Sequence, residues 1–266
     1  MTAVQKAPSP RTAADVYDEL FVPALFHQWG AVVANEARIA RGERVLDVAC
    51  GTGVLALAAL DRVGPGGAVS GIDANNEMLT VARRKSDQID WHLGRAESLP
   101  FPEKYFDAVV SQFGIMFFDD PVQALREMMR VLRPGGRLAV AACDAVENSP
   151  GYAALAALLE RLFGDRVANA FRAPFALGDP VRLHELAAKA GIESERVRQH
   201  MGTVRFASIE TLISTERACV WTLGGMLDDA QFVRLLKEAK PALHPFTTDS
   251  GLVSFEMPAL IITATQ

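Results

Sequence analysis

The stretch VLDVACGTGVLA, residues 45–56, leaves few folds open to this chain. A short apolar run of strand length ends at Gly51, and an apolar helical pattern begins directly behind Gly53. A strand that turns through two glycines into a helix is the opening unit of a doubly wound α/β sheet. Gly51-x-Gly53-x-x-Ala56 also meets the fingerprint of a dinucleotide site, and the acid Asp73 follows at about the 20-residue distance of a ribose ligand. Local spacing therefore admits a nicotinamide-dependent oxidoreductase as one reading.

The pattern downstream extends the unit into a sheet. Strands are predicted at 44–50, 67–74, 89–96, 106–114 and 137–143, with helical periodicity between them. Asp120 supplies an N-cap and Pro121 a first-turn residue for a helix through Leu125, Met129 and Leu132, which PGG at 134–136 stops. Strands alternating with helices of this length imply parallel pairing. Before this core, Thr12-x-x-Asp15 reads as a capping box, and Pro23 is expected to start a second helix with Leu25, Phe26, Trp29, Val32 and Val33 on one face. After it come helices at 152–163 and from Pro180 to Gly191, and helical patterns at about 208–225 and 228–240. Two late strands are expected at 195–208 and 251–265. The simplest division is one domain: cap helices at 1–40, a cofactor-binding core at 41–145, the rest of the sheet with a helical lid at 146–250, and a last strand at 251–266.

Charge and composition narrow the partners. Net charge is −5, so no general basic field draws nucleic acid or an anionic membrane. The basic cluster Arg83 to Lys85 reads as a solvated helix face. No apolar run reaches the roughly 18–20 residues of a membrane span. The opening MTAVQKAPSPRT lacks an apolar core and reads as a disordered lead-in, not a signal peptide. The three cysteines are isolated and the five histidines show no ligand spacing, so neither a disulfide framework nor a metal is expected. These readings place the protein in the cytoplasm and leave self-association into a homo-oligomer open.

Asp47 separates the cofactor readings. It stands at the end of the first strand, four residues before Gly51. A fixed carboxylate there disfavours a nearby diphosphate, which a dinucleotide would place on the following helix N-terminus. It suits S-adenosylmethionine, which carries an ammonium and a sulfonium and no phosphate. Asp73, at the tip of the second strand, offers two oxygens to a ribose diol in either case.

VLDVACGTG, together with GIDANNEML, GRAESLPFPEKYFDAVVS and REMMRVLRPGGRLAV, resembles the class I S-adenosylmethionine-dependent methyltransferases. Within them the similarity is to the small-molecule branch that contains the ubiquinone/menaquinone C-methyltransferases, and it runs over about residues 44–142. The resemblance implies a Rossmann-like doubly wound sheet of seven strands, mostly parallel with an antiparallel last strand, and a helical cap. It assigns Asp47 and the backbone of Gly51 and Gly53 to the methionine moiety, Asp73 to the ribose, and Ala74 and Met78 to the adenosine, with Ala49 also among the cofactor-binding residues. Ala96 and Glu97 fall at the adenine edge, and Gln112 falls where the backbone meets the methionine amino group. Arg95 departs from the family, which usually carries an acid there, so either the usual acceptor for the adenine amino group is missing or Glu97 replaces it.

No catalytic motif accompanies these elements, and the chemistry explains why. A sulfonium is already an excellent leaving group, so alignment of the reactants can supply roughly 7–11 kcal/mol of the barrier. A general base is needed only where the acceptor must lose a proton, and Tyr17, His27 and His200 are the candidates from the variable flanks. Cys50 reads as buried filler. The expected partner is a small, apolar or aromatic methyl acceptor. A non-catalytic binder of an adenosine cofactor shares the same motifs and remains the alternative beside the oxidoreductase.

Overall fold

Strand β1 (Arg44–Val48) is buried along all but its first residue, and only a central strand covered on both faces accommodates such a run. In the computed structural model, which describes residues 11–219 and 222–266, β1 lies in the middle of a seven-stranded sheet. Residues 1–10, read above as a disordered lead-in, lie outside the described residues. Helix α1 (Ala13–Val16) leads into a wide π-helical segment (Tyr17–Phe26) and then α2 (His27–Glu36). After β1 come α3 (Val54–Val63), β2 (Ala68–Asp73), α4 (Asn76–Lys85), β3 (Asp90–Leu93), β4 (Phe106–Gln112), α5 (Pro121–Val131) and β5 (Leu132–Cys143). The second half adds α6 (Pro150–Phe163), α7 (Asp165–Arg172), α8 (Pro180–Ala190), β6 (Arg196–His200), β7 (Thr203–Phe206), α9 (Ile209–Ala218), α10 (Asp229–Leu243), β8 (Val253–Glu256) and β9 (Ala259–Thr265).

The order across the sheet is β3-β2-β1-β4-β5-β9-β6. β1 pairs in parallel with both β2 and β4, so the chain winds outward from β1 and then reverses beside it. That reversal opens a crevice at the carboxyl ends of β1 and β4. β9 enters antiparallel between β5 and β6, as the fold implied by the resemblance requires. One face of the sheet is covered by Trp29, Val33, Leu55 and Ala59, the other by Leu125, Met128, Leu183 and Ala187, all buried.

Three sequence expectations change. Pro23 does not begin a helix: it lies inside the π-helical segment, where the His27 N–H reaches back to the Val22 carbonyl, five residues earlier. The widened turn takes up the clash that a proline ring makes with a carbonyl four residues back in an ordinary helix. The segment PGG does not end α5, which stops at Val131; Pro134 to Gly136 lie in the irregular start of β5, where its register against β4 shifts. Each late strand is two. The chain breaks at Met201–Gly202 and Met257–Pro258, so β6 and β9 join the main sheet while β7 and β8 pair separately.

The capping box at Thr12 forms as read, with Thr12 and Asp15 bonding each other's backbone N–H groups. The basic cluster is not merely solvated: Arg84 pairs with Asp15 at 2.5 Å and Lys85 with Asp18, tying the N-terminal segment to α4. Among the described residues no helix is long and apolar enough to cross a membrane.

Candidate active site

The crevice holds a cavity of about 570 Å³. Its floor is the turn after β1. Cys50 donates its N–H to the Ile72 carbonyl at 3.0 Å, and the Gly53 N–H closes on the Cys50 carbonyl at 2.9 Å. Gly51 (φ 53°) and Gly53 (φ 90°) both take the left-handed conformation that L side chains resist. They serve different ends. A side chain at Gly51 would point into open space in the cavity, whereas one at Gly53 would lie 2.7 Å from the Trp91 ring. Gly53 therefore keeps room for Trp91 and does not line the cavity, and only Gly51 offers the close backbone approach read for both.

Asp73 fastens the turn. Its Oδ2 accepts from the Gly51 N–H and its Oδ1 from the Asn75 N–H, both at 2.8 Å. Each oxygen keeps a second lone pair for a ligand hydroxyl. Burial raises the Asp73 carboxyl above its ordinary range, while the two N–H bonds pull it down. Asp47 lies one layer deeper, paired in register with Gly71 and Val110 and fully buried. Burial pushes its carboxyl well above the ordinary range, while the Ala56 N–H pulls it down, and among the described residues its oxygens meet no other hydrogen-bond donor. Gln112, at the end of β4, donates Nε2 to the Phe26 carbonyl at 3.0 Å and leaves Oε1 buried without a partner on the cavity wall.

Ala49, Ala74, Met78, Ala96 and Glu97 line the same cavity. Glu97 accepts from the Asp119 N–H at 2.9 Å, and Arg95 reaches both Asp119 (2.5 Å) and Glu97 (3.4 Å). The departure at Arg95 thus cross-links the loops after β3 and β4. The residues present fit S-adenosylmethionine: Gln112 offers a buried acceptor on the cavity wall, and Asp47, which does not itself line the cavity, is a buried carboxyl on β1 just before the glycine turn. Asp73 keeps a free lone pair on each oxygen at the cavity wall, which suits a diol, and Ala74, Met78 and Ala96 line the cavity with apolar surface.

The catalytic candidates separate. Tyr17 is on the cavity wall, stacked on Phe26 at 5.4 Å, and burial drives its hydroxyl far above its ordinary range, which counts against a base there. His27 is exposed; it lies two residues, or about 200° of helix, from Trp29 on the buried face of α2. His200 sits on the edge strand β6 and, with Arg198 two residues earlier on the same face, turns to Glu36 at 3.3 Å. Neither histidine lines the cavity.

The far end of the cavity is built by residues the sequence did not single out: Tyr152 of α6, Phe171 of α7, Phe175, Glu216 of α9, and Met257 between β8 and β9. Tyr152 packs edge-on against Phe171 and Phe175, each at 5.7 Å. The available signal was Glu216. It lies one helical turn from Leu212 on the buried stripe of α9, where a carboxylate is out of place. Cys143 also lines this end, and burial pushes its thiol up to about 12.

Over residues 46–140 the chain matches the family model described as a methyltransferase domain. It is 37% identical over 176 residues to the ubiquinone/menaquinone biosynthesis C-methyltransferase of Bordetella avium, covering 64% of this chain and 69% of that one. It is 41% identical over 117 residues to the demethylmenaquinone methyltransferase of Listeria welshimeri, covering 42% of this chain and 50% of that relative. Among solved structures, the YcgJ protein of Bacillus subtilis shares the fold with a TM-score of 0.59 at 20% identity, covering 90% of this chain and 98% of that one.

Proposed function

This chain belongs to the class I S-adenosylmethionine-dependent methyltransferases, and from that premise we propose that its acceptor is a small, flat, largely apolar metabolite of the quinone-precursor kind. The observation that carries the reading is the aromatic wall, with Phe26, Phe113, Tyr152 and Phe171 continuing the same cavity whose floor is the glycine turn. Such a wall binds an aromatic ring by area and edge contacts, with few polar groups to orient it. The names of the Bordetella and Listeria relatives point to the same class of acceptor.

S-adenosylmethionine supplies a methyl carbon already activated by its sulfonium. In this reading Asp47 and Gln112 hold the amino group, Asp73 the ribose, and Met78 the adenine. The π-helical segment closes the crevice through Tyr17, Phe21 and Phe26 and excludes water from the displacement. The cap, core and lid act as one domain, and a cytoplasmic location belongs to the same proposal. Asp47 counts against a nicotinamide dinucleotide, because a buried carboxylate under the turn repels a diphosphate.

A screen of hydroxylated aromatic and quinol acceptors for transfer of an isotopically labelled methyl group tests the proposal. Transfer to such a ring is expected. Methylation confined to polar or anionic acceptors would overturn the acceptor class, and tight binding of NAD in place of S-adenosylmethionine would overturn the site.

A further inference from the structure

Among the described residues, Glu216 is a carboxylate at the far end of the cavity that packing does not explain. It is 2% exposed, lines the cavity, and makes none of the ion pairs seen among the described residues. Its Oε2 has no hydrogen bond. The backbone holds it in place: the Glu216 carbonyl accepts from the N–H groups of Cys219 (3.2 Å) and Leu223 (3.3 Å) and from the Thr222 hydroxyl (3.1 Å). Across from it stands the Tyr152 hydroxyl, also 2% exposed and without a closed hydrogen bond. The two are near enough for the hydroxyl to favour the ionised carboxylate. A buried carboxylate with no cation costs stability and persists where a ligand completes it.

We propose that Glu216 is the acceptor-binding base of this enzyme: its carboxylate receives the hydroxyl hydrogen of a phenolic or enolic acceptor and takes that proton as the methyl group is transferred. The inference rests on the methyltransferase reading and names the polar group that the aromatic wall orients. The acceptor O–H bond breaks and its proton moves to Glu216 Oε2. The electron pair set free forms the bond to the methyl carbon, from that oxygen or from a conjugated ring carbon. The carbon–sulfur bond of the sulfonium breaks, and its pair stays on sulfur as a neutral thioether. Where carbon is the nucleophile, the ring regains aromaticity by moving its carbon-bound hydrogen to the oxygen. Among the described residues, the groups that act on Glu216 are the hydroxyls of Tyr152 on α6 and Thr222 beyond α9, with the Cys143 and Cys219 thiols beside Tyr152, none of them cationic. Arg95, the cation among the described lining residues, is engaged by Asp119 and Glu97. Burial brings Glu216 to about 7, so near neutrality it both accepts and releases a proton.

Binding without turnover tests this. 2-Naphthol and its methyl ether are titrated calorimetrically into the full-length protein saturated with S-adenosylhomocysteine, from about pH 6 to about pH 8. In the wild type, naphthol binds about ten-fold more tightly than the ether at the upper pH, and the preference fades as Glu216 protonates. Glu216→Gln, which keeps shape, reduces the preference to about three-fold or less and removes its pH dependence. Tyr152→Phe moves the midpoint upward, because the ionised carboxylate loses its donor. A pH-dependent preference that survives in Glu216→Gln overturns the proposal. So does a wild type that binds both probes equally or neither. Failure of S-adenosylhomocysteine to bind the wild type strikes instead at the methyltransferase reading beneath it.

Discussion

Two glycines in one fingerprint give opposite outcomes when each is changed to alanine. Gly53→Ala forces an L residue to φ 90° and sets its Cβ 2.7 Å from Trp91 Cη2. The indole cannot swing aside: its Nε1 donates to the Ser86 carbonyl at 3.0 Å, and its far edge already leaves no room for a Cβ at Gly71. Left-handed strain costs about 1–2 kcal/mol, and overpacking against a pinned ring about 1–3 kcal/mol. Alanine stiffens the unfolded chain and returns about 0.4–1 kcal/mol. The net loss is about 2–4 kcal/mol of folding stability, with affinity for S-adenosylhomocysteine in the folded protein nearly unchanged. Gly51→Ala meets no atom within 4 Å, so only the strain remains and the stability loss is about 1 kcal/mol or less. Its Cβ occupies cofactor space, however, and binding should weaken about ten-fold or more, equivalent to about 1.4 kcal/mol. Urea unfolding and calorimetric titration of both variants read the two numbers separately. Equal destabilisation, or wild-type affinity in Gly51→Ala, would refute the division of labour between the glycines.

Other expectations follow from the same geometry. Asp73→Ala removes the acceptor of both the Gly51 and Asn75 N–H groups, and charge-assisted bonds of about 1.5–3 kcal/mol each make a loss of several kcal/mol between stability and cofactor affinity; wild-type values in both would misplace the site. Burial raises Asp47 above its unfolded value of 3.8, so the ligand-free fold binds more protons than the unfolded chain between those two values and loses stability as pH rises through that window. A cofactor ammonium beside Asp47 favours its ionised form, so binding releases a proton and tightens with pH. Calorimetry in buffers of different ionisation heat should show the release in the wild type and not in Asp47→Asn. His27→Ala and His200→Ala should each keep wild-type methyl transfer, since neither lines the cavity, and a large loss of turnover in a folded variant would return that histidine to the site.

The cofactor half of this protein was legible in its sequence because its determinants are local. The strand-turn-helix at 44–63, Asp73 at a strand tip, the capping box at Thr12 and the Asp120–Pro121 helix start each lie within a few residues, and backbone sterics and caps act over that range. The late chain was less so: a period-two pattern reads through 195–208 and 251–265 alike, and only the competition for sheet edges splits each into two strands. Spacing could not tell Gly51 from Gly53, because the difference between them is Trp91, some forty residues away and packed under one of them. Nor could it tell which of Tyr17, His27 and His200 lines the cavity. Whether a side chain reaches a cavity depends on which way its helix or strand is turned, and whether it ionises there depends on what buries it. Both are set by contacts among segments distant along the chain, and so the cofactor was written in order and spacing while the lining of the cavity beyond it was decided by the fold.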